Sequence, residues 1–163
     1  MKEPKKVILS EDGDTVLVGE REFEVEKLAP AQIALVMKER CKGFLGENGI
    51  LKKKAASYAI AAFRIAMVGI GCWIASKFFQ NIDVAENFLR GAWFGLSAAA
   101  LYMSGKSIYY NKKKKGLLQD YEDDQHYLGM EIVRRQLHGE DTKMAEDILE
   151  EITKIEREGY EQN

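Results

Sequence analysis

The sequence predicts a mainly α protein with a small N-terminal β-meander, a two-helix transmembrane hairpin and a C-terminal amphipathic helical hairpin. Three observations predict it. Two apolar stretches, Ala55 to Ser76 and Phe88 to Tyr110, are framed on their outer sides by Lys52, Lys53 and Lys54 and by Lys112, Lys113, Lys114 and Lys115. Ahead of them, apolar residues alternate at period two; behind them, they recur at the three-to-four spacing of a helix. Three segments follow: 1–49, a β-meander plus helix; 50–115, the apolar pair; and 116–163, an acidic helical module.

In the first segment, Val7-Ile8-Leu9 and Thr15-Val16-Leu17-Val18 flank an Asp12-Gly13 turn signal, which predicts a hairpin. After a turn at Gly19-Glu20-Arg21, Phe23 and Val25 alternate with glutamates and are expected on one buried face. Pro30 suits the first turn of a helix. That helix is expected to run from Ala31 to Lys42, with Ile33, Val36, Met37 and Cys41 on its inner face. Gly43, Gly46 and Gly49 then predict a linker or hinge over 42–49.

The first apolar stretch is long enough to span a hydrocarbon core of about 30 Å, and the second is comparable if Arg90 and Lys106 snorkel to the interfaces. Trp73, Phe78 and Phe79 near one end, and Tyr109 and Tyr110 near the other, fit interfacial belts. The lysine bias places both termini in the cytoplasm. The seven flanking lysines are the expected lipid-headgroup contacts, which makes anionic lipid a partner. The start MKEPKK leads into a charged, strand-like segment, so no cleavable signal peptide is expected. Arg64 lies near the centre of the first stretch, where an arginine costs about 2.5–3.5 kcal/mol on insertion scales.

Helical spacing through Arg64 defines a stripe of small residues: Ser57, Ala61, Arg64, Val68, Gly71 and Ala75. The second stretch carries Gly91, Gly95, Ala98, Tyr102 and Gly105. Small residues at these spacings let helices pack closely in lipid. The two stripes are expected to face each other, with Arg64 level with Tyr102 and bonding its hydroxyl or ring. Neither span holds a carboxylate for Arg64, so a neighbouring copy, a lumen or a lipid phosphate is its expected counterpart.

Beyond the pair, Leu118, Tyr121, Leu128 and Ile132 fall along one side of a helix over 117–138. Gly139-Glu140-Asp141 breaks it, and Asp141 or Thr142 is the expected N-cap of the next helix. Met144, Ile148, Ile152 and Ile155 mark its stripe. These amphipathic helices form a hairpin or arms that bind a partner helix.

Charge and composition exclude several activities. The formal net charge is -2, yet residues 116–163 hold 5 basic and 14 acidic side chains, a poor match for nucleic-acid phosphates. The two cysteines, Cys41 and Cys72, do not make a disulfide framework. Basic neighbours Lys38, Arg40 and Lys42 could lower the Cys41 thiol pKa, although an inward apolar role fits its position. His126 beside Asp123 and Asp124 is more than three turns from His138, too far to share a metal. No nucleophile elbow or phosphate loop is present. No catalytic residue, cofactor site or metal site is assigned.

Two short resemblances are general. Arg134-Arg135-Gln136-Leu137-His138 resembles the Arg-x4-6-His motif of HEPN ribonucleases, which implies a site between helical subunits. Its spacing is shorter than theirs, it covers five residues, and the acidic surroundings oppose RNA. Glu22 to Leu28 followed by Pro30-Ala31-Gln32 resembles small phage tail-assembly proteins over about twenty residues, without defining a family.

The expected function is a non-enzymatic membrane scaffold subunit that assembles with itself or docks a protein through the acidic helices. A pore-forming effector of the holin or defence type, with Arg64 in its lumen, is the alternative. A third is a component of a virus particle or other large assembly, its apolar helices buried against protein.

Overall fold

The computed structural model describes residues 7–10, 15–18, 21–79 and 82–161. The chain is mainly helical with a small antiparallel N-terminal sheet. Its strands are β1 (Val7–Leu9), β2 (Thr15–Val18) and β3 (Arg21–Glu24), in the order β1-β2-β3. A 3-10 turn, Val25–Lys27, leads to α1 (Pro30–Phe78), α2 (Asp83–Leu137) and α3 (Lys143–Glu161). Two compact units result: residues 1–49 with 115–163, and residues 50–114. The first and third sequence segments thus belong to one unit rather than standing as separate modules.

In the first unit, β2 pairs with both neighbours, Leu9 opposite Val16 and Val16 opposite Phe23. The Asp12-Gly13 turn and residues 19–20 lie outside the described residues. Period two does not continue to Val25. β3 ends at Glu24, and Val25 is buried by the 3-10 turn, while Phe23 stays 39% exposed on the edge strand.

Helix α1 begins where its capping groups allow. The Ala29 carbonyl accepts from the backbone N–H groups of Gln32 and Ile33, and the Gln32 side chain accepts from the Ala29 N–H at 2.9 Å. Pro30 takes the first helical position, where its missing N–H costs nothing.

The expected hinge is absent: α1 continues through Gly43, Gly46 and Gly49. A helical glycine costs about 1 kcal/mol against alanine. Packing outweighs it here. Phe44, one residue past the first glycine, is fully buried and stacks on Tyr121 of α2, centroids 4.2 Å apart.

The core of this unit gathers Val16, Val25, Ile33, Met37, Cys41 and Phe44 against Tyr121, Leu128, Ile132, Ile148 and Ile152. The apolar stripes of the acidic helices are therefore used in this core, except that Met144 is 63% exposed and Ala145 is buried in its place. Polar side chains fix the arrangement. Arg40 meets Asp124 at 2.7 Å, Lys38 meets Glu151 at 2.6 Å, and the Gln125 amide donates to the Met37 carbonyl at 3.2 Å.

Between α2 and α3 the chain turns by a Schellman motif. The Glu140 N–H donates to the Arg135 carbonyl, the Gly139 N–H to that of Gln136, and Gly139 takes φ +83°. The Lys143 N–H then donates to the Asp141 carboxylate, and the Thr142 hydroxyl bonds Glu146.

Candidate functional site

The second unit, residues 50–114, carries the feature that most needs a functional account. It is an antiparallel pair formed by the end of α1 and the start of α2. The seam between them keeps a seven-residue period. On α1 the inward positions are Leu51, Ala55, Tyr58, Ala62, Ile65, Gly69, Cys72 and Ser76. Their spacing alternates four and three, which holds one face of a helix toward its partner. Every seventh residue in that set is small: Ala55, Ala62, Gly69 and Ser76. The facing positions on α2 are Leu89, Trp93, Leu96, Ala100, Met103, Ser107 and Tyr110.

Contacts along the seam fix its register. The Ser107 hydroxyl donates to the Ala55 carbonyl at 3.0 Å, and Tyr58 stacks on Tyr110 at 5.5 Å. Gly69 faces Trp93 and Leu96; a Cβ at Gly69 would lie 3.4 Å from the Leu96 Cβ.

The stripes expected to meet do not meet within the chain. A Cβ added at Gly71, Gly91, Gly95 or Gly105 would have no neighbour within 4 Å, and Ser57, Val68 and Ala98 are exposed. The small-residue spacing holds, but its phase differs from the expected one. The α1 stripe sits one residue off the seam, about 100° around the helix, and the α2 stripe lies two residues off, on the back.

Arg64 and Tyr102 are both exposed and unbonded to each other. The Tyr102 ring instead carries the Lys106 ammonium at 5.6 Å. Among the described residues Arg64 makes no hydrogen bond or ion pair.

One flank of the pair holds an apolar groove of about 690 Å³ between the two helices. Ala59, Ala66, Ser97 and Ser104 lie along it, with Phe63 and Leu101 among its larger side chains. Arg64 is not in its lining.

The outer surface of the unit is apolar. Phe63, Phe88, Phe94 and Leu101 are two-thirds or more exposed, with Ile60, Met67, Ile70 and Ile108 about half exposed. Each such side chain in water forgoes on the order of 1–2 kcal/mol of burial. Summed over the unit, that rivals the whole net stability of a domain. One helix among the described residues, α1, is long and apolar enough to cross a membrane; its most apolar window has mean hydropathy 1.7 and is 17% buried. In α2 the corresponding stretch is interrupted by Arg90 and Lys106.

The remaining sequence candidates resolve structurally. Burial pushes the Cys41 thiol up, and the Tyr121 hydrogen bond and the nearby Lys42 only partly offset this, so the basic neighbours do not lower it. Cys41 faces inward, as its apolar position suggested. In the Arg-x-x-His run, Arg135 is buried and donates to the Val25 and Glu26 carbonyls at 3.0 and 2.8 Å, and both arginines hold Glu131. His138 lies exposed at the turn. Among the described residues no group of three or more His, Cys, Asp or Glu is placed to hold a metal.

Sequence reasoning missed Phe44 and Gly69, and it met Arg135 only as part of the ribonuclease-like run, not as the bond to the Val25 and Glu26 carbonyls. The signal for Gly69 was present as the seven-residue recurrence of Ala55, Ala62, Gly69 and Ser76. No protein family, curated protein or solved structure matches the chain.

Proposed function

We propose that the chain is a non-enzymatic, membrane-anchored scaffold subunit. Residues 55–110 form a two-helix hairpin in the bilayer, and the unit built from 1–49 and 115–163 sits on one side of it. The observation that carries this reading is the apolar outer surface of the helical pair, which no other described residue covers. A second support is that both chain ends contribute to one unit, as a hairpin entering and leaving from the same face requires. The lysine flanks favour the cytoplasmic side.

Self-association completes the reading. In the outward stripes, Ser57 and Gly71 on α1 and Gly91, Gly95, Ala98 and Gly105 on α2 are exposed, with Ala61 and Ala75 half-buried, and they suit close approach by a second copy. Arg64, which has no partner among the described residues, sits in the first of these stripes. A neighbouring copy meets its need for a polar counterpart.

Carbonate extraction tests the anchor: the full chain stays with the membrane pellet, and release into the supernatant refutes it. Release together with a large native mass favours instead burial of the apolar helices in a soluble or viral-type assembly. Native mass in mild detergent tests assembly, and a monomer there refutes self-association. The exposed, unpartnered Arg64 also favours a second reading, a pore lined by that residue. Ion leakage on expression, abolished by Arg64→Leu, distinguishes it from a plain scaffold.

A further inference from the structure

We propose that six lysines form a collar for anionic phospholipid headgroups at one end of the helical pair: Lys52, Lys53 and Lys54 on α1, and Lys112, Lys113 and Lys114 on α2. The proposal rests on the membrane-anchored reading and names its lipid partner. The two triplets lie at one level, because Ala55 meets Ser107 and Tyr58 stacks on Tyr110. The Lys54 ammonium lies 5.7 Å from the Tyr110 ring centre, on the opposite helix.

The shape of the charge is informative. Consecutive helical residues point about 100° apart, so three in a row fan around most of a helix. Leu51, Ala55 and Tyr110 take the inward directions; Lys52, Lys53, Lys54, Lys112 and Lys113 are exposed, and Lys114 is half-buried beside the seam. Two such fans at one level make a ring rather than a patch on one face. A ring meets a plane of headgroups from every side. A nucleic acid, which approaches one face, leaves much of it unused.

The charge is also available. Among the described residues, Lys53, Lys54, Lys112, Lys113 and Lys114 make no ion pair, whereas Lys27, Lys38 and Lys42 of the first unit each hold a glutamate. Tyr58, Tyr109 and Tyr110 lie within about one turn on the apolar side, and exposed Ile60 and Ile108 follow. Cation, then aromatic, then hydrocarbon is the order of a bilayer leaflet. The far end of the pair differs. Arg90 is paired with Glu86 at 2.5 Å, Lys77 sits over Trp73, and Asp83 opens α2. The two ends therefore present unequal charge, which fixes orientation as well as depth.

Near an anionic surface each lysine is worth about fivefold in partitioning. The test is synthesis of the full chain in the presence of vesicles of phosphatidylcholine alone, or of phosphatidylcholine mixed with phosphatidylglycerol, followed by flotation before and after a carbonate wash. Phosphatidylglycerol should raise the floated fraction at least tenfold. Replacing Lys53, Lys54, Lys112, Lys113 and Lys114 by Gln should remove that preference and leave flotation on phosphatidylcholine unchanged. Carbonate-resistant protein that ignores phosphatidylglycerol, or a five-Gln variant that keeps the preference, overturns the collar while the anchor stands. Lysine-dependent flotation that carbonate reverses keeps the collar and refutes the anchor.

Discussion

At Arg135 the chain buries a charged side chain at the edge of the core and gives it partners. Its guanidinium donates to the Val25 and Glu26 carbonyls and pairs with Glu131, so it fastens the end of the meander to α2. Arg135→Met keeps the volume and removes the donors. The Val25 carbonyl keeps the Leu28 N–H, but the Glu26 carbonyl and Glu131 each lose a donor, a loss of about 1–2 kcal/mol, to be read as a lowered melting temperature of the full chain in mild detergent. A variant as stable as the parent refutes this role.

Glu131 gives a pH dependence. The Arg134 hydrogen bond, with Arg135 adding to it, holds its carboxyl below the usual value of 4.5. A carboxylate depressed by folding adds stability above its unfolded pKa, and that stability is lost as pH falls through the folded one. Asp124 works in the opposite direction, since burial pushes its carboxyl up in spite of Arg40. The difference between the parent and Glu131→Gln isolates Glu131. The parent's advantage should be complete above about pH 4.5 and vanish on further acidification. An advantage that is flat with pH contradicts the assignment.

At the scale of elements, helix continuity and helix ending are both testable with glycine. Gly46 is exposed, lies within α1 and has nothing within 4 Å of an added Cβ. In a continuous helix Gly46→Ala should stabilise by about 0.5–1 kcal/mol; in a hinge it does not. Gly139, at φ +83°, sits where a side chain is strained, so Gly139→Ala should cost about 1–2 kcal/mol. Thermal unfolding monitored by circular dichroism reads both.

The seam has its own signature. With Cys41 and Cys72 replaced by serine, Ala62→Cys with Ala100→Cys should crosslink on mild oxidation, since these positions lie seven residues from the Ala55–Ser107 contact. Ala61→Cys with Ala98→Cys should crosslink only between copies, because both positions belong to the outward stripes. The reverse pattern restores the facing stripes and refutes the seam.

For the whole molecule, the grouping of 1–49 with 115–163 constrains topology. Two segments that share a core cannot lie on opposite sides of a bilayer. Protease added to inverted cytoplasmic-membrane vesicles should therefore attack both ends, and in right-side-out vesicles both should be protected. One end cut while the other is protected refutes the hairpin. The acidic helices also change role at this scale. Their apolar stripes, Met144 apart, go into the unit's core, and the apolar residues of α2 left exposed beyond it include Met130, Val133 and Leu137.

The sequence by itself determined the elements whose signal is local. The helix starts at Pro30 and after Thr142, the break at Gly139, the inward faces around Ile33 and Ile148, and the seven-residue period of the apolar stretches are set by neighbours within a turn or two. Tertiary structure decided what depends on distant partners. Gly43 to Gly49 read as a hinge because propensity is local, yet Phe44 finds Tyr121 and the helix holds. Gly and Ala stripes recur on several faces of each apolar helix, so spacing alone could not choose among them. The burial of Ala55, Ala62, Gly69 and Ser76 against the partner helix marks the face that was chosen, and it leaves Arg64 exposed. A period belongs to one helix, whereas a phase exists only between two.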